Sequence, residues 1–443
     1  MSTADSFKTF LQNIAIDNGE TISTRYGEIT AVLNKKFRNT ESKTANSLQV
    51  GSYGRWTAIK GISDLDMLYI MPAGKWETYK DGKQSTLLTD AKDAIQARYP
   101  STTVTVDRLV VRVLYKDFHI EVQPVFELDD ESFRYPDTYN GGSWKITKPR
   151  AEIAAMSESN DKKNRNLRRL CKMARAWKNK HGQAMGGLLI DTLAYNFLES
   201  TADYDETSYL YYDYMSRDFF RFLSDQPAKD YYAAVGSGQR VKVKKNFTKK
   251  AKIAYELAEK AIGAAGTDSE NETWRRIYGR SFPIVEKTVE RADFSSQTWR
   301  NTEQFIYDRF PIDIRSSITL ECDVSQDGFR PHKLRDFLRQ MLPLKVHKSL
   351  KFYVAQSDIE GEFDLYWKVL NRGDEARRRD CIRGQIEPDR GGHTRTEETK
   401  FKGDHIVECY AVQHGVVIAT DRIHVPIQEN SVETNAVYPA ERR

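Results

Sequence analysis

The sequence predicts an α+β chain: a mixed sheet with helices first, a helical domain after it, and a separate β-rich C-terminal domain. Three observations carry this. Apolar residues recur at helical spacing over 83–98, 162–180, 185–199 and 248–265. Apolar and polar residues alternate over 47–50, 64–71, 103–107, 109–114 and 119–126, as in strands. From residue 314 the texture turns to alternation over 318–324, 351–355, 365–370, 402–412 and 416–423. A chain of 443 residues allows two or three domains.

Taken in order, residues 6–38 read as a helix pair or one long helix, with Phe7, Phe10, Leu11 and Ile14 on one face and Ile29, Val32, Leu33 and Phe37 continuing it. A short strand at 47–50 leads to the stretch GSYGRWTAIKGISDLDMLYIMP, residues 51–72. In its apolar run, Asp64 and Asp66 share one strand face while Leu65 and Met67 point into a core. Two carboxylates on one face repel unless a cation lies between them, and a hard divalent cation with oxygen ligands does that. The Gly51-Ser52 turn brings backbone N–H groups and a hydroxyl near a phosphate chain.

Pro100 ends the helix at 83–98. The strand HIEVQPVF, residues 119–126, places Glu121 on the face opposite Ile120 and Val122, as a third metal ligand would be. Residues 130–160, with Pro136, Gly141-Gly142 and Pro149, read as an irregular crossing loop. The helix at 162–180 buries Leu167, Leu170, Cys171, Ala174 and Trp177, and carries a basic stripe of Arg168, Lys172 and Arg175. Basic residues cluster again at 240–252, which would give a positive wall beside a triphosphate. Residues 271–313 read as a linker region with some docked helix, 331–341 as a helix, and the tail from 428 as polar and mobile. The expected divisions are therefore 1–160, 161–265, 266–313, 314–427 and 428–443.

Bulk properties exclude several classes. A net charge of +5 is too small to argue for a nucleic-acid binder by composition. The four cysteines lack C-x-x-C spacing, which fits a reduced cytoplasmic location and not a zinc site. No run approaches membrane-spanning length, and no secretory signal or membrane partner is expected.

With Gly51-Ser52, Asp64-Leu65-Asp66 and Glu121-Val122-Gln123-Pro124 in place, the first 265 residues resemble the cGAS/DncV-like nucleotidyltransferases of the polymerase-β-like superfamily. The helix RNLRRLCKMARAWK followed by MGGLLIDTL is similar to that family's segment after the catalytic core. The strings YWKVLNRGDEA, IRGQI, ETKFKGDHIVECYAVQHG and VIATDRIHVPI resemble the adenylyl/guanylyl-cyclase and SMODS C-terminal sensor domain, AGS-C.

The resemblance implies a polymerase-β-like core in which Asp64, Asp66 and Glu121 hold two Mg²⁺ ions, with Mn²⁺ as a substitute. It implies NTP or dNTP substrates, phosphate contacts from Gly51, Ser52 and Lys172, and a sensor domain that regulates the synthase. Arg55 is a further phosphate-binding candidate by position. The family often has a phosphate-touching serine at the start of the next helix, where this chain has Gly187, and its third acid is more often aspartate than glutamate. The implied product is a cyclic or short linear oligonucleotide second messenger of bacterial anti-phage defence, read by a downstream effector. Tyr209, Tyr211, Tyr212 and Tyr214 are candidates by composition for a base-stacking platform. Trp367, Asn371, Arg383, Gly384, His405 and Tyr410 are candidates in the sensor domain, and Tyr438 is a candidate acceptor that primes a linear chain. The alternatives are a terminal nucleotidyltransferase acting on RNA or on its own tail, and an inactive nucleotide-binding module.

Overall fold

In the computed structural model the described residues are 2–61, 64–116, 118–284, 304–325, 331–340, 344–371, 374–379, 381 and 383–428. They divide into two units. The first comprises Met1–Glu290 with Phe310–Ser316 and His414–Val417, and the second comprises Arg291–Arg309, Ser317–Gln413 and Ile418–Arg443.

The first unit opens with α1 (Thr3–Asn13) and α2 (Gly19–Arg38). The long amphipathic stretch is thus a pair. Ser2 and Asp5 form a capping box at the start of α1, and Asn39 ends α2 in the left-handed conformation. Next come β1 (Ser47–Gln49), the single-turn helix α3 (Gly51–Gly54), β2 (Asp64–Ile70), α4 (Trp76–Tyr79) and α5 (Gln84–Arg98). The strands β3 (Thr103–Asp107), β4 (Val110–Leu114), β5 (His119–Glu127), β6 (Phe133–Asp137) and β7 (Ser143–Thr147) follow. The sheet runs β1-β2-β5-β4-β3, with β6 added on β5 and β7 on β6. Its pairs are antiparallel except β2 with β5, which run parallel. Leu65, Met67, Ile120 and Val122 face the core, where Ile29 and Leu33 of α2 and Leu87 and Ile95 of α5 meet them. This leaves the opposite face of β2 and β5 for carboxylates.

Residues 130–160 differ from the expected crossing loop. They form β6, β7 and α6 (Pro149–Lys162). The residues that read as breakers occupy positions where they break nothing. Pro136 sits near the end of β6, Gly142 takes φ +94° in the hairpin turn, and Pro149 opens α6, where the missing N–H has no intrahelical partner to lose.

The helices α7 (Asn166–Lys180), α8 (Gly187–Glu199), α9 (Tyr212–Ser224), α10 (Thr248–Gly263) and α11 (Asp268–Tyr278) complete the first unit, with a small hairpin of β8 (Tyr231–Ala233) and β9 (Arg240–Lys242). Trp177 of α7, Phe219 and Phe220 of α9 and Trp274 of α11 are buried together with Phe7 and Phe10 of α1. The helix in the expected linker region is therefore core: Trp274 has no exposed surface. Residues 285–303 lie outside the described residues.

The second unit contains β10 (Ile318–Ser325), β11 (His332–Lys333), α12 (Leu334–Arg339), β12 (Leu344–Lys345), β13 (Ser349–Ser357), β14 (Asp364–Leu370), α13 (Asp374–Arg378), β15 (Arg383–Pro388), β16 (Thr394–Glu398), β17 (Gly403–Gln413) and β18 (Val416–Gln428), the last beginning in the first unit. One sheet runs β11-β10-β13-β16 and the other β12-β18-β17-β14-β15. Their shared core includes Leu320, Phe352, Trp367, Cys409 and Val425. No described helix of either unit is long and apolar enough to cross a membrane.

Candidate active site

The turn after β1 is shaped by what glycine lacks. Gly51 takes φ +63°, and a Cβ there would lie 1.8 Å from Asp66 Oδ2. At Gly54 a Cβ would lie 2.3 Å from the Gln49 carbonyl. The Val50 N–H donates to the Asp66 carbonyl (3.0 Å), and the Ser52 carbonyl accepts from the N–H groups of Thr57 (2.9 Å) and Ala58 (3.1 Å). The Gly-Ser turn is thereby pressed onto the strand that carries the two aspartates.

Period two puts Asp64 and Asp66 on one face, with Leu65 and Met67 buried behind them. The parallel pairing of β2 with β5 then sets Asp66 beside Glu121 in register. Ligand oxygens of Asp64, Asp66 and Glu121 all lie within 4.8 Å of one another. The three residues expected to hold metal are together.

The charges around them are uneven. Arg112 on β4 stands opposite Glu121 and donates to its Oε1 from Nη2 (2.8 Å) and Nε (3.2 Å), and His119 Nε2 lies 3.2 Å from the same oxygen. Burial raises the Glu121 carboxyl, but the His119 hydrogen bond and the guanidiniums of Arg315 and Arg112 outweigh it and hold the group at about 2. Arg315 Nη2 pairs with Asp64 Oδ1 (2.8 Å), and its Nε donates to Asp313 Oδ2 (2.6 Å). Asp66 has no hydrogen bond or ion pair with its carboxylate among the described residues. Burial, then the charges of Asp64 and Glu121, push it well above the usual carboxylate range. Burial also raises Asp64, against the pull of Arg315. An oxygen-only donor set with one uncompensated, half-buried carboxylate fits a hard divalent cation.

Lys172 lies on α7, half-buried, with no hydrogen bond or ion pair among the described residues. Burial first, and then Arg168, lower its pKa, so an anion beside it would be favoured. Ser52 is half-exposed at the turn.

Arg55 is placed differently from a phosphate ligand. Its guanidinium is buried, with Nε on Asp191 Oδ2 (2.8 Å) and Nη1 on Glu152 Oε2 (3.2 Å). Asp191 also accepts from Arg175 Nη1 (2.6 Å) and Nη2 (3.1 Å) and from the Thr57 hydroxyl (3.0 Å). This cluster ties the Gly-Ser turn to α6, α7 and α8. Gly187 belongs to it by size: a Cβ there would lie 3.0 Å from Arg175 Nη2, so a serine at this position would crowd the guanidinium.

Of the tyrosines, Tyr212 is buried with its hydroxyl on Asn166 Oδ1 (2.6 Å), Tyr209 carries Arg169 over its ring, and Tyr211 and Tyr214 are exposed. The Tyr209 and Tyr212 rings lie 5.0 Å apart, tilted at 47°. In the second unit, a cavity of about 520 Å³ is lined by Asn371, Arg383 and His405 together with Phe352 and Phe401. Trp367 instead donates its indole N–H to Asp389 Oδ1 (2.8 Å), the Tyr410 hydroxyl goes to Glu408 (2.7 Å), and Gly384 takes φ +110°. Tyr438 lies outside the described residues.

Residues 1–160 match the Second Messenger Oligonucleotide or Dinucleotide Synthetase domain (SMODS), and residues 300–428 match the Adenylyl/Guanylyl and SMODS C-terminal sensor domain. No curated protein matches the chain. Similar solved structures include the E. coli MS115-1 CdnC:HORMA-deltaN complex, at 13% identity and TM-score 0.47 over 63% of this chain and 98% of that one. Vibrio cholerae DncV cyclic AMP-GMP synthase with nonhydrolyzable GTP is similar at 15% identity and TM-score 0.46, over 54% and 71%. The STING-associated CdnE c-di-GMP synthase from Capnocytophaga granulosa is similar at 13% identity and TM-score 0.44, over 56% and 85%. The assignment rests on the two domain matches, not on these remote likenesses. By those two matches, the chain carries a SMODS domain over residues 1–160 and an AGS-C sensor domain over residues 300–428.

Proposed function

We propose that this nucleotidyltransferase joins nucleoside triphosphates into a cyclic or short linear oligonucleotide second messenger, using Mg²⁺. The observation that carries the reading is the convergence of Asp64, Asp66 and Glu121 beside the Gly51-Ser52 turn. These three carboxylates would hold the ions. When bound, the ions supply activation of the attacking hydroxyl and neutralise charge on the triphosphate and leaving pyrophosphate. The protein's own groups do the positioning. The Gly-Ser turn offers the Ser52 hydroxyl and backbone N–H groups to phosphate oxygens, and Lys172 contributes a point charge from α7. Arg112 and His119 fix the Glu121 carboxylate in orientation. Rate enhancement then comes from alignment of the hydroxyl with the phosphorus and from stabilisation of phosphoryl charge.

The finer reading places the product in bacterial anti-phage signalling, acting through an effector protein, with residues 300–428 sensing a ligand that regulates synthesis. The sensor description of that domain supports the second part.

The test incubates purified protein with labelled ATP, GTP, CTP, UTP and dNTPs plus Mg²⁺ or Mn²⁺, followed by chromatography and mass spectrometry. A short phosphatase-resistant product that disappears in Asp64→Ala/Asp66→Ala is the expected result. Elongation seen only on added RNA would instead identify a terminal nucleotidyltransferase. Nucleotide binding without turnover, also with phage extract present, would identify an inactive binding module.

A further inference from the structure

One cation already sits among the three carboxylates, and it belongs to the protein. Arg315 Nη2 lies 2.8 Å from Asp64 Oδ1. Arg315 comes from the short segment Phe310–Ser316, which packs as part of the first unit although it lies far along the chain from β2. The contact is built rather than incidental. Asp313 anchors the guanidinium at Nε (2.6 Å). Asp313 is held in turn by the buried Lys178 amine (2.8 Å), which also donates to the Ile314 carbonyl (2.8 Å). Asn179 donates to the Ile312 carbonyl (2.9 Å) and accepts from the Ile314 N–H (3.3 Å). The Asp313 N–H and the Pro311 carbonyl pair with Val417 on the far side (3.0 Å each). The Lys244 amine caps the Arg315 carbonyl (2.9 Å). Two successive residues of α7 thus clasp a segment whose last charged side chain reaches the acidic face of β2.

We infer that Arg315 is a resident counter-ion that competes with the divalent cation for Asp64, so that full metal ligation requires its guanidinium to withdraw. This inference rests on the metal-dependent reading of the same triad. A guanidinium within hydrogen-bond reach of a carboxylate satisfies its lone pairs and lowers its value to an incoming dication. The two cations would also repel across a partly dry site, where screening is weak. Glu121 loses less by its own arginine pairing, because Arg112 and His119 both converge on Oε1. Asp66 is the carboxylate ready to receive the ion first. Arg315 is thus a positioning residue that sets the metal concentration at which the site loads.

The experiment measures Mn²⁺ affinity of the full chain by titration calorimetry and by electron paramagnetic resonance of free Mn²⁺, without nucleotide. The proteins are wild type, Arg315→Gln, Arg315→Lys and, as the control for the site, Asp66→Ala. Arg315→Gln should bind Mn²⁺ about tenfold more tightly, and Arg315→Lys should stay near wild type. The melting temperature of Arg315→Gln should fall without metal and recover more on Mn²⁺ addition than wild type does. Should Arg315→Gln fail to fold, hydrogen exchange on the wild-type chain carries the test: Mn²⁺ should speed exchange of the amides of Ile314 and Arg315. Unchanged or weaker Mn²⁺ binding in Arg315→Gln, or unchanged or slowed exchange at these amides, would overturn the inference. If wild type shows no Mn²⁺ binding that depends on Asp66, the metal reading falls and takes this inference with it. Equal, Asp66-dependent binding in wild type and Arg315→Gln overturns the competition alone.

Discussion

Gly51→Ala puts the close fit of turn and strand to a severe test. The alanine Cβ would lie 1.8 Å from Asp66 Oδ2 and 2.7 Å from its carboxyl carbon, at φ +63°. Two costs follow. The left-handed backbone costs an L-residue about 1–2 kcal/mol. Ordinary contact begins at 3.4 Å, so the carboxylate has to retreat by the 1.6 Å between that distance and 1.8 Å. Such a displacement exceeds the roughly 0.5 Å within which a functional group must be held. The variant should therefore fold with a small loss of stability, measured by urea unfolding, and lose most of its Mn²⁺ affinity and about 100-fold of its nucleotide turnover. Gly74→Ala is the control: Gly74 takes no positive φ, and no neighbour lies within 4 Å of a Cβ there, so neither quantity should move. Wild-type metal affinity and turnover in Gly51→Ala would refute the claim that this turn fixes Asp66.

Asp191→Asn keeps the shape of the buried cluster but removes the charge that Arg55 and Arg175 share, and should cost about 3–5 kcal/mol in chemical unfolding. Against the opposing effect of burial, those two arginines hold the Asp191 carboxyl at about 2, below its value of 3.8 when unfolded. The resulting stability, about 2 kcal/mol, is present above pH 4 and disappears as the pH falls toward 2, so urea midpoints should drop across that window more in wild type than in Asp191→Asn. Lys172→Met should leave the fold intact, because burial and Arg168 already disfavour the charged amine, yet raise the KM for nucleotide. Lys172→Arg should recover part of that loss, and a KM unchanged in Lys172→Met would remove Lys172 from the phosphate site.

The three acids were readable because strand period two fixes which side chains share a face. The register that brings them together was not: Asp66 meets Glu121 through a parallel pairing of β2 with β5, and no local pattern specifies that offset. Arg112 sat in a legible strand, but its partner depended on the neighbouring register. Arg55 illustrates the opposite error. Its position after the turn suggested phosphate, whereas Asp191 and Glu152, distant in the chain, capture it. Arg315 and Asp313 gave no local signal, because their segment is ordered by α7. The strand β16 escaped notice because Thr-Arg-Thr-Glu-Glu offers no apolar alternation. Pairing with β13 and the ion pairs of Arg383 and Arg395 with Glu397 hold it.

The Arg55–Asp191 pair also bears on when the enzyme can come into being. Its members are 136 residues apart, and the SMODS match ends at residue 160, before Asp191 has been made. At a synthesis rate of about 5–20 residues per second, the partner follows Arg55 off the ribosome by roughly 7–30 s. Glu152 itself follows Arg55 by 97 residues, so Arg55 spends most of that interval with neither carboxylate, while Phe7 and Phe10 wait for the helices that bury them. The matched domain boundary is therefore not a folding boundary. A chain broken off by nuclease attack on its message, or cut near residue 160, would carry every acidic ligand and still lack a finished turn. On the proposed reading, synthesis begins only in a molecule translated well past Asp64, Asp66 and Glu121.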